Sequence, residues 1–315
     1  MRAIMIKPRG FCAGVERAIR VVELALEQHS PPIYVRKEIV HNSHVVQRLR
    51  ERGVVFVAEL DEVPEGAVTI LSAHGSAPAV HAEACRRSLH VIDATCPLVT
   101  KVHNEVDRYV RRGFRIVLIG HAGHDEVVGT MGHAPASTVL VETVADVERL
   151  DLSPDQAGII LTQTTLSQDD CREIVAALQQ RFPHLTLPPS DDICYATQNR
   201  QNAVKDIAAR LDVLLVVGSR NSSNSQRLTE VAAARGVTAY LIDSPDDIDP
   251  AWLDGCGCVG VSSGASAPED VVQSVLRRLR QLGVDDVEEM EAADEKVVFT
   301  LPCLTPATET DATAH

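Results

Sequence analysis

The sequence predicts an α/β protein built on mainly parallel sheets and divided into three similar lobes. Two observations carry the class. Short β-branched runs alternate with amphipathic helical stretches along the chain, the pattern of strand–helix–strand units. Polar, glycine-containing loops follow the apolar runs, as expected where ligands bind beyond the carboxyl ends of parallel strands. A third observation points to the number of lobes. Cys12, Cys96 and Cys194 lie 84 and 98 residues apart, and each falls just before a helical stretch.

Taken in order, the expected strands are the apolar runs at 3–6, 54–57, 68–71, 116–119, 158–161, 213–217, 237–242 and 259–261. Helical stretches at 15–28, 42–50, 98–111, 168–181, 197–210, 226–234 and 269–282 follow them. Parallel neighbours need right-handed crossovers, so the strand ends should share one edge of each sheet. A short echo supports repetition: His74-Gly75-Ser76-Ala77-Pro78 and Gly264-Ala265-Ser266-Ala267-Pro268 each follow an apolar run. Residues 305–315, rich in Thr, Ala and acid, have no periodicity and read as a disordered tail.

Composition excludes several classes. The net charge of −14 disfavours nonspecific binding to nucleic acid or to an anionic membrane. No apolar stretch reaches the ~18 residues of a membrane span. The N-terminus enters a strand without a signal-peptide core, so the cytoplasm is the expected compartment. The eight cysteines show no paired local spacing, which argues against a disulfide framework.

The strand-end loops hold the chemistry. Ser72-Ala73-His74-Gly75, Gly120-His121-Ala122-Gly123-His124-Asp125-Glu126 and Thr162-Gln163-Thr164-Thr165 are three of them. Ser219-Arg220-Asn221-Ser222-Ser223-Asn224-Ser225 and Ser262-Ser263-Gly264-Ala265-Ser266 are two more. They offer imidazoles, hydroxyls, carboxamides and backbone N–H groups, which suit a phosphate or diphosphate. Each loop alone also reads as ordinary turn chemistry. His41 precedes Asn42, a helix N-cap candidate. His121 and His124 have a spacing seen in zinc sites, and Cys256-Gly257-Cys258 resembles a metal pair without a partner pair. Cys85 and Cys171 sit within helical patterns and are expected to pack. Cys12, Cys96 and Cys194 differ in lying before helices, where free N–H groups and the helix dipole favour a thiolate. Three such ligands could share one soft metal centre and leave a position open.

These motifs resemble the 4-hydroxy-3-methylbut-2-enyl diphosphate reductase family. The likeness runs from residue 1 to about 302. It includes Pro8-Arg9-Gly10-Phe11-Cys12-Ala13-Gly14-Val15, Glu38-Ile39-Val40-His41-Asn42, Asp93-Ala94-Thr95-Cys96-Pro97 and Asp191-Asp192-Ile193-Cys194-Tyr195. It also takes in Ser72-Ala73-His74-Gly75, Gly120-His121-Ala122-Gly123-His124, Glu126, Gly129-Thr130, Thr162-Gln163-Thr164-Thr165-Leu166-Ser167, Asn221-Ser222-Ser223-Asn224-Ser225 and Gly264-Ala265-Ser266-Ala267-Pro268-Glu269. The resemblance implies three α/β lobes in a trefoil around a central iron–sulfur cluster. The implied division is 14–96, 97–193, and 1–13 with 194–282, then an extension over 283–302 and the tail at 303–315. It implies a [4Fe–4S] cluster on Cys12, Cys96 and Cys194 with one open iron, which is the labile one, so that air exposure is expected to leave a [3Fe–4S] form. It assigns the diphosphate pocket to His41, His74, His124, Ser222, Ser223, Asn224 and Ser266. Proton delivery falls to Glu126, with His124, Thr164 and Thr165 assisting and Thr164 also touching substrate.

The implied reaction is reductive dehydroxylation of an allylic diphosphate to isopentenyl and dimethylallyl diphosphates, the last step of the non-mevalonate isoprenoid pathway. Electrons would come from a carrier protein such as a flavodoxin or ferredoxin. Two positions depart from the family pattern: Asp125 replaces an expected Pro beside Glu126, and Ser76 an apolar residue after His-Gly. Monomer and homodimer stay open. The competing readings are a zinc hydrolase using His121, His124 and a cysteine, and a non-catalytic iron–sulfur sensor or carrier.

Overall fold

The computed structural model describes residues 1–153 and 156–302. Cys303 and the expected tail lie outside the described residues. The first elements are β1 (Arg2–Lys7), α1 (Ala13–Gln28), β2 (Ile33–Arg36), α2 (Ser43–Glu51), β3 (Val54–Val57), β4 (Val68–Leu71), α3 (Pro78–Arg86) and β5 (His90–Asp93). Then follow α4 (Pro97–Val110), β6 (Arg115–Ile119), α5 (Asp125–His133), β7 (Thr138–Val141), α6 (Val144–Arg149), β8 (Gly158–Thr162), α7 (Gln168–Arg181) and β9 (Leu185–Thr186). The last are α8 (Tyr195–Ile207), β10 (Val213–Val217), α9 (Ser223–Ala233), β11 (Thr238–Ile242), β12 (Cys258–Ser263), α10 (Glu269–Gln281) and β13 (Asp286–Glu291).

These strands form three sheets, ordered β3-β2-β4-β5, β7-β6-β8-β9 and β11-β10-β12-β1-β13. Every pairing is parallel. Helices cover both faces of each sheet, so the central strands are buried on both sides and carry unbroken apolar runs. All of β10 is buried, and so is all of β12. In the five-stranded sheet, Val271, Val275 and Leu279 of α10 pack on one face, and Ala203, Val204 and Leu228 of α8 and α9 on the other. The middle sheet is sandwiched likewise, with Ile174 and Leu178 of α7 opposite Val102 and Val106 of α4.

The N-terminal strand does not join the sheet that follows it. Instead β1 sits between β12 and β13, in register from Arg2 opposite Asp286 to Lys7 opposite Glu291. The segment after 282, expected as an extension, therefore supplies an edge strand. Lys7 and Arg9 pair with Glu289 at 3.1 and 2.7 Å, which balances its acids. No helix among the described residues is long and apolar enough to cross a membrane.

The candidate active site

Parallel pairing sends every carboxyl strand end to one edge of its sheet, and the three edges meet around one cavity. The three cysteines reach it in the same way. Cys12 follows β1 and is the N-cap of α1, Cys96 follows β5 and caps α4, and Cys194 follows β9 and caps α8. Burial pushes the Cys96 thiol up to about 12 and the Cys194 thiol to about 11, and charge on neighbouring cysteines adds to both shifts. Burial raises Cys12 as well, while the Arg200 guanidinium opposes it. Thr197 donates to the Cys194 sulfur from its backbone N–H at 3.4 Å, and the two side chains lie 3.1 Å apart.

The donor set fits a cluster better than a single ion. One group of His, Cys, Asp or Glu among the described residues brings three ligand atoms within 4.8 Å of one another, and it is His41, His74 and Asp125. The three sulfurs are therefore spread more widely than that. One tetrahedral ion with metal–sulfur bonds of ~2.3 Å would need them closer. Room between them is kept by Gly14. A Cβ there would lie 2.7 Å from Cys96 Sγ and 3.8 Å from Cys12 Sγ.

Three imidazoles form one wall. The rings of His41 and His74 stack with centroids 3.9 Å apart, and His124 stands edge-on to both at 5.5 and 6.0 Å. Burial, reinforced by the neighbouring imidazoles, holds His74 well below the usual histidine range and brings His124 down to about 4. His124 caps α5 and accepts from the Glu126 N–H at 3.2 Å. His41 Nδ1 lies 3.2 Å from Glu38, which also accepts from Asn221 at 2.7 Å.

A second wall is α9 and the loop after β12. Ser222 caps α9 and is engaged by Ser225, while the Ser266 hydroxyl donates to the His41 carbonyl at 2.9 Å. Asn224 is 5% exposed, and neither its Oδ1 nor its Nδ2 has a partner. A buried amide with both polar atoms unpaired costs about 1–3 kcal/mol, so this side chain is set for a ligand.

Glu126 lies between these walls and is 3% exposed. Burial pushes its carboxyl up to about 7, against the two hydrogen bonds it receives. Both come from Thr164: the backbone N–H donates to Oε1 at 2.6 Å and the hydroxyl to Oε2 at 2.9 Å. Thr165 bonds the Ser223 hydroxyl at 3.1 Å. All thirteen residues expected at the site thus line or border one cavity. Asp125, the departure beside Glu126, opens α5 and points its carboxylate toward His41 Nε2 at 4.0 Å; it makes no bond to Glu126.

Other expectations change. His121 turns away from His124 into a separate pocket, 4.0 Å from Glu142, because Gln163 holds its backbone N–H at 3.1 Å. The zinc trio of His121, His124 and a cysteine is not assembled. Cys171 packs as expected, whereas Cys85 is exposed in the last turn of α3 rather than packed. Sequence reasoning missed three contributors. Gln163 is 1% exposed and ties His121, Thr165 and Ser223 together. Gly14 stood inside a quoted motif, and only its place two residues after Cys12 hinted at its spacing role. Phe299 reaches the cavity from the far end of the chain, and no local pattern marks it.

Comparison with known proteins accords with this geometry. The family model described as LytB protein matches residues 3–280. The 4-hydroxy-3-methylbut-2-enyl diphosphate reductase of Mycolicibacterium paratuberculosis is 59% identical over 302 residues, spanning 96% of this chain and 91% of that one. The enzyme of the same name from Actinobacillus succinogenes is 55% identical over 305 residues, spanning 96% and 97%. The solved E-1-hydroxy-2-methyl-but-2-enyl-4-diphosphate reductase from Plasmodium falciparum superposes with a TM-score of 0.94 at 41% identity, covering 96% of this chain and 95% of its own. With a family match over most of its length and relatives above half identity, this chain belongs to the LytB family.

Proposed function

We propose that this chain reduces (E)-4-hydroxy-3-methylbut-2-enyl diphosphate to isopentenyl and dimethylallyl diphosphates, the last step of the non-mevalonate isoprenoid pathway. The observation that carries the reading is one cavity holding three spaced cysteines, three imidazoles, a buried acid and an unpartnered amide. When bound at Cys12, Cys96 and Cys194, a [4Fe–4S] cluster supplies single electrons and one iron without a protein ligand. The reaction breaks a C–O bond, forms a C–H bond and consumes two electrons and two protons, with water leaving.

The residues supply what remains. Burial holds His74 and His124 largely neutral; a diphosphate beside them reverses that balance and draws protons onto them, and His41 stacks on His74 in the same wall. Asn224 and Ser222 add neutral donors, and together these groups fix the substrate's orientation. Glu126, its carboxyl pushed up to about 7, keeps a large share of its proton near neutral pH and can deliver it to the departing hydroxyl, a poor leaving group otherwise. Thr164 fixes both carboxyl oxygens, so the proton sits at a defined place. An allyl-type carbanion then accepts a proton at either end, which accounts for two products. Electrons arrive from a carrier such as a flavodoxin or ferredoxin, and the cytoplasm keeps the thiols reduced.

The separation of His121 from His124 argues against the zinc hydrolase. A non-catalytic carrier has no use for Glu126 or the unpaired Asn224. Anaerobic reconstitution, iron and sulfide analysis and turnover with a reduced viologen dye test the proposal. Labile sulfide with dye-driven formation of both products is expected. Stoichiometric zinc without sulfide, or a loaded protein inert toward the allylic diphosphate, overturns it.

A further inference from the structure

We infer that the face formed by the 292–302 segment and the adjoining edge of α1 and α4 is the docking site for an acidic one-electron carrier protein. The inference rests on the reductase reading, because only a reduction calls for electrons from outside. Residues after β13 run back across the cysteine side of the cavity. Glu295 pairs with the fully buried Arg200 at 3.1 Å and accepts from Asn199 at 3.1 Å, which anchors the segment on α8. Phe299 enters the cavity beside the cysteines. Its neighbour Thr300 accepts from Arg17 Nε at 2.8 Å, and the same guanidinium donates to the carbonyls of Ala94 and Thr95 at 3.2 and 3.0 Å, directly before Cys96. One cation therefore joins the helix of Cys12, the loop of Cys96 and the covering segment.

Two features of the outer side point to a partner. Val297, Val298 and Leu301 are three of the eight large hydrophobics exposed among the described residues, and Val298 is 88% exposed. All three lie within two positions of Phe299, which lines the cavity with the three cysteines, so an apolar contact here sits close to the cavity. Beside them, Arg17 and Arg108 border one groove and have no carboxylate partner among the described residues. The groove also holds Lys101 and a single carboxylate, Glu105, so it is locally cationic in a chain of net charge −14. An apolar centre with a cationic rim fits a small acidic protein, whose charge steers it to the face and away from the rest of the surface. Each encounter passes one electron from the carrier's reduced centre, and two encounters complete a turnover.

Val298→Asp and Arg108→Glu test the face without touching the cavity. Holoenzyme is titrated calorimetrically with an acidic flavodoxin, and turnover is measured with that flavodoxin and separately with reduced viologen. Each variant should weaken flavodoxin binding and raise its KM about fivefold or more, with iron and sulfide content and viologen-driven turnover unchanged. The Arg108→Glu variant should also lose the weakening by salt seen in wild type. Unchanged flavodoxin binding in both variants overturns the inference. So does a shift from dimer to monomer with flavodoxin KM intact, which would make the face a contact between copies. Loss of viologen-driven turnover in wild type would strike the reductase reading instead.

Discussion

Gly14→Ala separates folding from cluster retention. Gly14 is the second residue of α1, in ordinary helical backbone, and Ala there should favour the helix by up to about 1 kcal/mol. Nothing in the backbone asks for glycine. The space does: the new methyl would stand 2.7 Å from Cys96 Sγ, where ordinary contact begins near 3.4 Å. The sulfur must retreat by roughly 0.7 Å or α1 must shift with Cys12 at its cap. Metal–sulfur ligation tolerates only about 0.2 Å. The variant should therefore fold with an unchanged or higher apo Tm and yet bind well under half the wild-type iron and sulfide after anaerobic reconstitution. Full cluster content with a normal visible spectrum would refute the argument that this space belongs to the cluster.

Five further outcomes follow from the site. Glu126→Gln should cut turnover by at least about 100-fold while iron content stays normal; near-normal turnover would remove Glu126 from proton delivery. Turnover should fall as pH rises through about 7, where Glu126 loses its proton. Because the folded acid holds its proton above the unfolded value of 4.5, this group makes stability decline as pH rises from about 4.5 to 7. The difference in unfolding free energy between wild type and Glu126→Gln should show that slope, and parallel curves would contradict it. Inorganic diphosphate should bind with proton uptake at pH 7, since His74 and His124 are held neutral by burial when the pocket is empty; calorimetry in buffers of different ionisation enthalpy reads this, and buffer-independent heats would speak against it. Asn224→Ala should lower diphosphate affinity about tenfold or more but leave the empty protein as stable or more so, because it removes a buried unpaired amide; a large drop in apo Tm would mean the amide is a structural group.

Much of this was legible in the chain, and the failures have physical causes. Buried parallel strands such as β10 declare themselves through unbroken Val and Leu. Helix α7 was bounded correctly at Gln168 and Arg181 because Ser167 caps it and accepts from the Asp170 N–H. Strand β13 was missed because four of its six residues are acidic, and only pairing with β1 and the cations of Lys7 and Arg9 makes it a strand. The apolar pattern does not mark helix α5, which carries Glu126 and contains Gly129 and Gly132. They are there for close approach: a Cβ at Gly132 would lie 2.2 Å from the Ala77 side chain, and one at Gly129 would lie 3.2 Å from the Gly75 carbonyl. The glycines let α5 press against the loop of His74, which brings Glu126 and His124 into the same cavity as His41. Such a fit is a property of two segments about fifty residues apart, and a local pattern cannot express it.

The same cavity shows why the site residues resist ordinary rules of stability. Burial disfavours the charged form of each: it raises Cys96, Cys194 and Glu126 and lowers His74 and His124. Left empty, the centre of the protein is a set of polar groups held in their neutral forms, with Asn224 unpaired among them. A group that prefers thiolates and a ligand that prefers imidazolium would each relieve part of that conflict, and they do so at different sides of one space. Binding at either side then stabilises the fold by mass action. It also changes the charge that the other side faces. The three cysteines and the three histidines are for that reason electrostatically coupled even though they do not touch, and Glu126, between them, is the group whose proton affinity should register both.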